Sequence, residues 1–128
     1  MARKESKPDR LFEKVIHEVL AELSPDLRAA LGSVRISVLK RATPEQRERS
    51  GLRSDEELFG LFEGYSLKEK PVGEERTFPD RIILYEESLK RYYPDRAELT
   101  RQVRKTLLHE LGHFFGFSEQ EIKERGYG

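Results

Sequence analysis

The chain reads as one α+β domain, a small mixed sheet packed against helices, and three observations predict this. Val34-Arg35-Ile36-Ser37-Val38 alternates apolar and polar residues strictly, the mark of a strand with one buried face. Arg81-Ile82-Ile83-Leu84-Tyr85 is the clearest strand run in the chain. Around these, apolar residues at helical spacing mark one helix near the N-terminus and a longer one near the C-terminus. Helix, three strands, helix is the order of an α+β domain whose sheet packs against the last long helix.

Taken in order, residues 1–8 are expected to form a flexible leader and residues 9–128 the single domain. From Asp9 to about Leu23, Leu11, Phe12, Val15, Ile16, Val19, Leu20 and Leu23 make a helical stripe, and His17 falls off it into solvent. Ser24-Pro25-Asp26 makes a turn, followed by a further helical turn through Leu31 that ends at Gly32. After the strand at 34–38, residues 41–57 carry many charges, Pro44, Gly51 and few apolar anchors; they read as a mobile loop. Leu58 to Tyr65 reads as a strand interrupted by glycine, and Lys68 to Pro79 as another charged loop. The strand Arg81–Tyr85 follows, then a short connection or helix from Glu87 to Tyr93, closed by Pro94-Asp95. A helix from about Ala97 to Phe115 and a short one from Glu119 to Arg125 complete the domain.

Composition narrows the function classes. Charged residues make up 38% of the 128 and cancel to a net charge of zero, which gives no reason to expect nucleic acid or an acidic membrane as partner. Arg101, Arg104 and Lys105 form only a local basic patch. Such a charge content fits a surface laced with ion pairs. The absence of cysteine excludes disulfides and thiolate metal sites. No signal core follows the charged N-terminus and no run approaches the ~20 apolar residues of a membrane span, so a cytoplasmic location is expected.

The chemistry concentrates in His109-Glu110-Leu111-Gly112-His113. Residues four apart on a helix share a face, about 6 Å apart along the axis, so His109 and His113 can bite one metal ion. Glu110 projects beside them, placed to take a proton from an activated water as catalytic base. On a helical wheel, Val103, Leu107, Leu111 and Phe114, flanked by Leu108 and Phe115, form the core face. The histidines lie off that face, on a strip with Gln102 and Thr106, which either line the cleft or are ordinary exposed polar positions. Gly116 can take a left-handed conformation and reverse the chain, bringing Glu119 back toward the metal. The pattern His-Glu-x-x-His-x-x-Gly-x-x-Glu resembles the metzincin zinc motif with an acid in place of the third histidine. With only three histidines and His17 far upstream, a two-histidine, one-carboxylate zinc site is expected. Glu119 is the leading third ligand, and Glu121 is the reserve. Against this, Glu119 is also a fitting charge for the first turn of a helix capped by Ser118.

The ordered combination of Leu58-Phe59-Gly60-Leu61-Phe62-Glu63-Gly64-Tyr65, Pro79-Asp80-Arg81-Ile82-Ile83-Leu84-Tyr85 and the motif through Glu119 resembles the small bacterial minimal-zincin family of metallopeptidases, over roughly residues 11–125. The resemblance implies a minimal zincin-like core, zinc bound by His109 and His113, and Glu110 as base. That family usually carries aspartate where this chain has Glu119, and the methionine turn of full metzincins is missing, the only methionine being Met1.

Two functions stand open at this point. One is a zinc-dependent peptidase acting on short or unfolded peptides; the other is a zincin-fold binding or regulatory protein with a non-catalytic zinc site. Glu110 favours the first, since a structural site needs no base. Small size favours the second, or a partner protein that completes the cleft. For a peptidase, Tyr65, Tyr85 and Tyr127 are candidate oxyanion donors, each also a candidate core or rim residue. Were Ile82–Tyr85 to lie at the sheet edge above the cleft, an extended peptide could add to it as a further strand.

Overall fold

The computed structural model describes residues 7–32, 34–51, 57–64 and 80–127. Residues 1–6 of the expected leader, Tyr65 and the charged stretch 68–79 lie outside the described residues. The elements are α1 (Arg10–Glu22), α2 (Pro25–Leu31), β1 (Arg35–Leu39), α3 (Pro44–Ser50), β2 (Gly60–Glu63), β3 (Arg81–Tyr85), α4 (Glu86–Tyr92), α5 (Arg96–Phe115) and α6 (Glu119–Glu124). This is the α+β architecture the sequence predicts.

The sheet runs β1-β3-β2, with β3 parallel to β1 and antiparallel to β2. Its central strand is apolar on both sides. Ile82 and Leu84 enter the main core beside α1 and α5, while Ile83 and Tyr85 pack with Leu58 in a second cluster. A strand buried on both faces reads as a continuous apolar run, which explains Ile82-Ile83-Leu84-Tyr85. The placement of this strand at an edge above the cleft is therefore corrected: β3 is central, and both its sides are paired. Among the described residues the edge beside the motif helix is β2.

The expected mobile loop at 41–57 also needs correction, because residues 44–50 form α3. Its signals are local. Thr43 caps the helix in a reciprocal capping box with Gln46, and Pro44 occupies the first turn. The helix lacks an apolar stripe because its buried residue is Gln46, whose Oε1 accepts from the buried Tyr85 hydroxyl at 2.7 Å. Arg49 pairs with Glu63 of β2, fixing the same helix to the sheet.

On the opposite face, α1 and α5 lie side by side with their N-termini together. Asp9, the N-cap of α1, pairs with Arg96 at 2.6 Å and Lys90 at 3.2 Å. At the far end of α1, Glu22 pairs with Arg104. The predicted stripe of α5 is buried as expected: Val103, Leu107, Leu108, Leu111, Phe114 and Phe115 all face the core. Burying this face anchors α5 from behind and leaves the histidine strip outward. His17 on α1 is exposed. No helix among the described residues is long and apolar enough to cross a membrane.

Candidate metal centre

Asp95 caps α5 by accepting from the Glu98 N–H, and the helix then runs for 20 residues to Gly116. Gly116 adopts φ 81°, and the N–H of Phe117 reaches back to the Gly112 carbonyl at 2.9 Å. This is the left-handed helix ending expected from the sequence. Ser118 then caps α6, its hydroxyl accepting from the Glu121 N–H while the Glu121 carboxylate accepts from the Ser118 N–H. The reserve ligand Glu121 is thus occupied as a helix cap, and Glu119 is turned toward the histidines.

The carboxylate of Glu119 meets both rings. Its Oε1 lies 3.0 Å from His113 Nε2, which donates to it, and 3.7 Å from His109 Nε2; the ring centroids are 4.5 Å apart. Two ligand atoms held about 2.0–2.2 Å from one tetrahedral ion stand roughly 3.3–3.5 Å apart. The two observed separations bracket that value, so Glu119 Oε1 stands at a ligand-like spacing from each imidazole. The chemistry fits as well, since two imidazoles and a carboxylate are ordinary zinc donors. One ligand atom each from His109, Glu110 and His113 also gather within 4.8 Å of one another. Glu110, however, approaches His113 from its Nδ1 side at 3.9 Å, away from the Nε2 atoms that Glu119 faces.

The environments of the two carboxylates differ sharply. Glu110 is largely buried and Glu119 is mostly exposed, with side-chain exposures of 13% and 67%. Burial pushes the Glu110 carboxyl above its ordinary range, opposed by the His113 ring and by a backbone hydrogen bond from Phe62. The hydrogen bond with His113 holds Glu119 below its ordinary range. Burial, then the neighbouring His113 and Lys105, lower His109, against the pull of Glu119. A neutral imidazole is the form that binds metal.

The Phe62 contact ties the sheet to the site. The Tyr85 N–H bonds the Phe59 carbonyl, and alternation along an antiparallel pair then turns the backbone groups of Gly60 and Phe62 away from β3. The Phe62 N–H reaches Glu110 on that outward side. Gly60 sits against Thr106 and Glu110, close enough that a side chain at 60 would collide with the Thr106 methyl. A glycine inside a strand is a sequence sign of such an approach, whereas a backbone N–H leaves no sign at all.

Other candidates fall elsewhere. Tyr85 is fully buried in the second cluster, where burial pushes its hydroxyl up to about 12. Tyr127 packs on Phe117 and lines the Arg101–Lys105–Leu108 flank of α5. Burial removes Tyr85 from the oxyanion candidates, and Tyr65 lies outside the described residues. Gln102 and Thr106 bond within their own helix, to Glu98 and to the Gln102 carbonyl. They are ordinary helix-surface positions, apart from the Thr106 methyl that meets β2.

Two imidazoles and a carboxylate gathered where a long helix turns into a short one, backed by a small mixed sheet, define a zincin-type domain. The chain belongs to the zincin-like metallopeptidase family, whose model matches residues 31–128. The match starts at the end of α2, so α1 precedes it, although the resemblance read from the sequence takes in residues from 11 onward. No curated protein matches the chain. Family membership points to a metal, zinc in the first place, and to hydrolysis as the chemistry.

Proposed function

We infer that this protein is a zinc-dependent peptidase in which His109, His113 and Glu119 hold the metal and Glu110 is the general base. The observation that carries this reading is the split between the carboxylates: Glu119 Oε1 faces both Nε2 atoms, at 3.0 and 3.7 Å, while Glu110 is buried beside them on the Phe62 N–H. When bound, zinc supplies Lewis acidity, polarising a carbonyl and making a water acidic near neutral pH.

The residues do the rest. Glu110 accepts the proton of the attacking water at its carboxylate and delivers it to the leaving amine. Its raised affinity for protons makes the ionised form a better base, and the Phe62 N–H beside it favours that ionised form. The substrate is a short or unfolded peptide. It lies extended along the outward edge of β2, where the backbone groups of Gly60 and the Phe62 carbonyl face away from β3 beside Glu110. This is the strand-addition mode considered from the sequence, moved from β3 to β2.

Zinc binding and hydrolysis of a mixed peptide library test the reading together. Glu110→Gln should keep zinc and lose activity by at least ~100-fold, the scale of a lost general base. Glu119→Ala should weaken zinc binding. Unaltered zinc affinity in Glu119→Ala would remove it from the ligand set, and activity surviving in Glu110→Gln would remove the base. Stoichiometric zinc in a wild type that cleaves nothing would favour a binding or regulatory protein on the same fold.

A further inference from the structure

Between the two histidines α5 carries a glycine, and this is where α6 comes closest. A methyl placed on Gly112 would stand 2.7 Å from Ile122 Cγ1 and 2.9 Å from its Cδ1. Carbon atoms in contact keep about 3.5–4.0 Å. The side chain of Ile122 therefore occupies the space that any other residue at 112 would need. Ile122 is fully buried there. Nothing in the backbone asks for glycine at this point: Gly112 lies inside a helix and is not one of the positive-φ glycines. Within a helix glycine is the least favourable residue after proline, so space is the reason for its presence.

We propose that the Gly112–Ile122 contact positions the third zinc ligand, setting how deep α6 sits and so where the Glu119 carboxylate falls. The inference rests on Glu119 being that ligand. Glu119 and Ile122 are three residues apart on α6 and share a face. Their counterparts on α5, His113 and Gly112, are adjacent. One face of α6 thus makes both contacts, and a change at the seat is transmitted to the ligand next to it. The start of α6 is already fixed, by the Phe117 N–H on the Gly112 carbonyl and by the Ser118–Glu121 box. A short helix held at one end needs a second contact to set its angle, and Ile122 in the Gly112 notch supplies it. The Tyr127 N–H on the Ile122 carbonyl braces the same residue from behind. Gly112 and Ile122 touch no reacting atom; they act through Glu119.

A thermodynamic cycle on zinc affinity, read by competition with a chelator, tests this. Gly112→Ala should weaken zinc by about 10- to 100-fold, the usual effect of disturbing a group that orients a ligand. Because it acts through Glu119, adding Gly112→Ala to Glu119→Ala should cost little more, a strong departure from additivity. Ile122→Ala removes both colliding carbons and leaves only Cβ, 3.8 Å from the new methyl. The pair Gly112→Ala/Ile122→Ala should therefore bind zinc more tightly than Gly112→Ala alone. Circular dichroism of the zinc-free proteins should show the helices kept in Gly112→Ala, since alanine is the better helix former. Wild-type affinity in Gly112→Ala would overturn the proposal, as would losses that add in full or a pair that fails to recover. If Glu119→Ala itself binds like wild type, the ligand assignment falls first and the positioning role with it.

Discussion

Gly60 and Glu110 show how closely one residue can be tied to another's chemistry. An alanine at 60 would bring its methyl to 2.7 Å from Thr106 Cγ2, 3.2 Å from the Ile83 carbonyl and 3.4 Å from Glu110 Cγ. The Ile83 carbonyl is backbone and the threonine is β-branched, so neither yields easily. Gly60→Ala should then lift β2 from α5 and cost about 1–3 kcal/mol, as overpacking does. Thr106→Ser deletes the colliding methyl but keeps the hydroxyl that donates to the Gln102 carbonyl at 2.7 Å. In urea denaturation the double variant should regain much of the loss, and an uncorrected loss would place the strain at Ile83 instead. The histidines and Glu110 are legible in the sequence because side-chain identity and helical spacing declare them. The Phe62 N–H that favours the ionised Glu110 is not, because it belongs to the main chain.

Among the elements, α3 is the most instructive. Its start was written in Thr43, Pro44 and Gln46, yet its charges and missing apolar stripe made the segment look like loop. The helix docks through a polar contact, where periodicity gives no signal. Gln46 accepts from the Tyr85 hydroxyl and from the Thr43 N–H, both through Oε1. Gln46→Ala should leave that buried hydroxyl without an acceptor and cost about 1–3 kcal/mol by chemical denaturation. Replacing both partners, as Gln46→Leu with Tyr85→Phe, should cost less than Gln46→Ala, because the buried hydroxyl goes with its acceptor, while the Thr43 N–H loses its bond in both variants. The reverse order would mean that the capping box, not the buried bond, holds α3. The long helices and β3 were easier, since each buries a regular apolar pattern. What the pattern of β3 withheld was its neighbours: pairing order is set by the whole sheet, although an apolar run on both faces already argues for a central strand.

Across the whole molecule, several ion pairs among the described residues join one element to another. Asp9 joins three elements, capping α1 while pairing with Lys90 of α4 and Arg96 of α5. The Arg96 guanidinium, first among several donors, holds its carboxyl well below the ordinary 3.8. A carboxyl lowered on folding stabilises fully above its unfolded value and loses that contribution as pH falls below it. Asp9→Asn keeps a good N-cap while removing the charge and one of the two oxygens that accept from Arg96. It should lower stability near neutral pH by on the order of 1 kcal/mol, the upper range for exposed pairs. The gap between variant and wild type should close as pH drops below 3.8 in acid denaturation; a gap that persists would assign the effect to shape.

The order of the chain adds a consequence for how this protein is made. Both halves of the sheet, β1 with β2 and then β3, precede the candidate ligands, and Glu119 lies on the last helix described. During synthesis the strands leave the ribosome before the histidines, and the histidines before Glu119. The core those strands build does not include the ligand side chains, so nothing in its packing waits for metal. Were His109, His113 and Glu119 the ligands, an incoming ion would meet side chains that the fold already brings together rather than ones scattered along an unfolded chain.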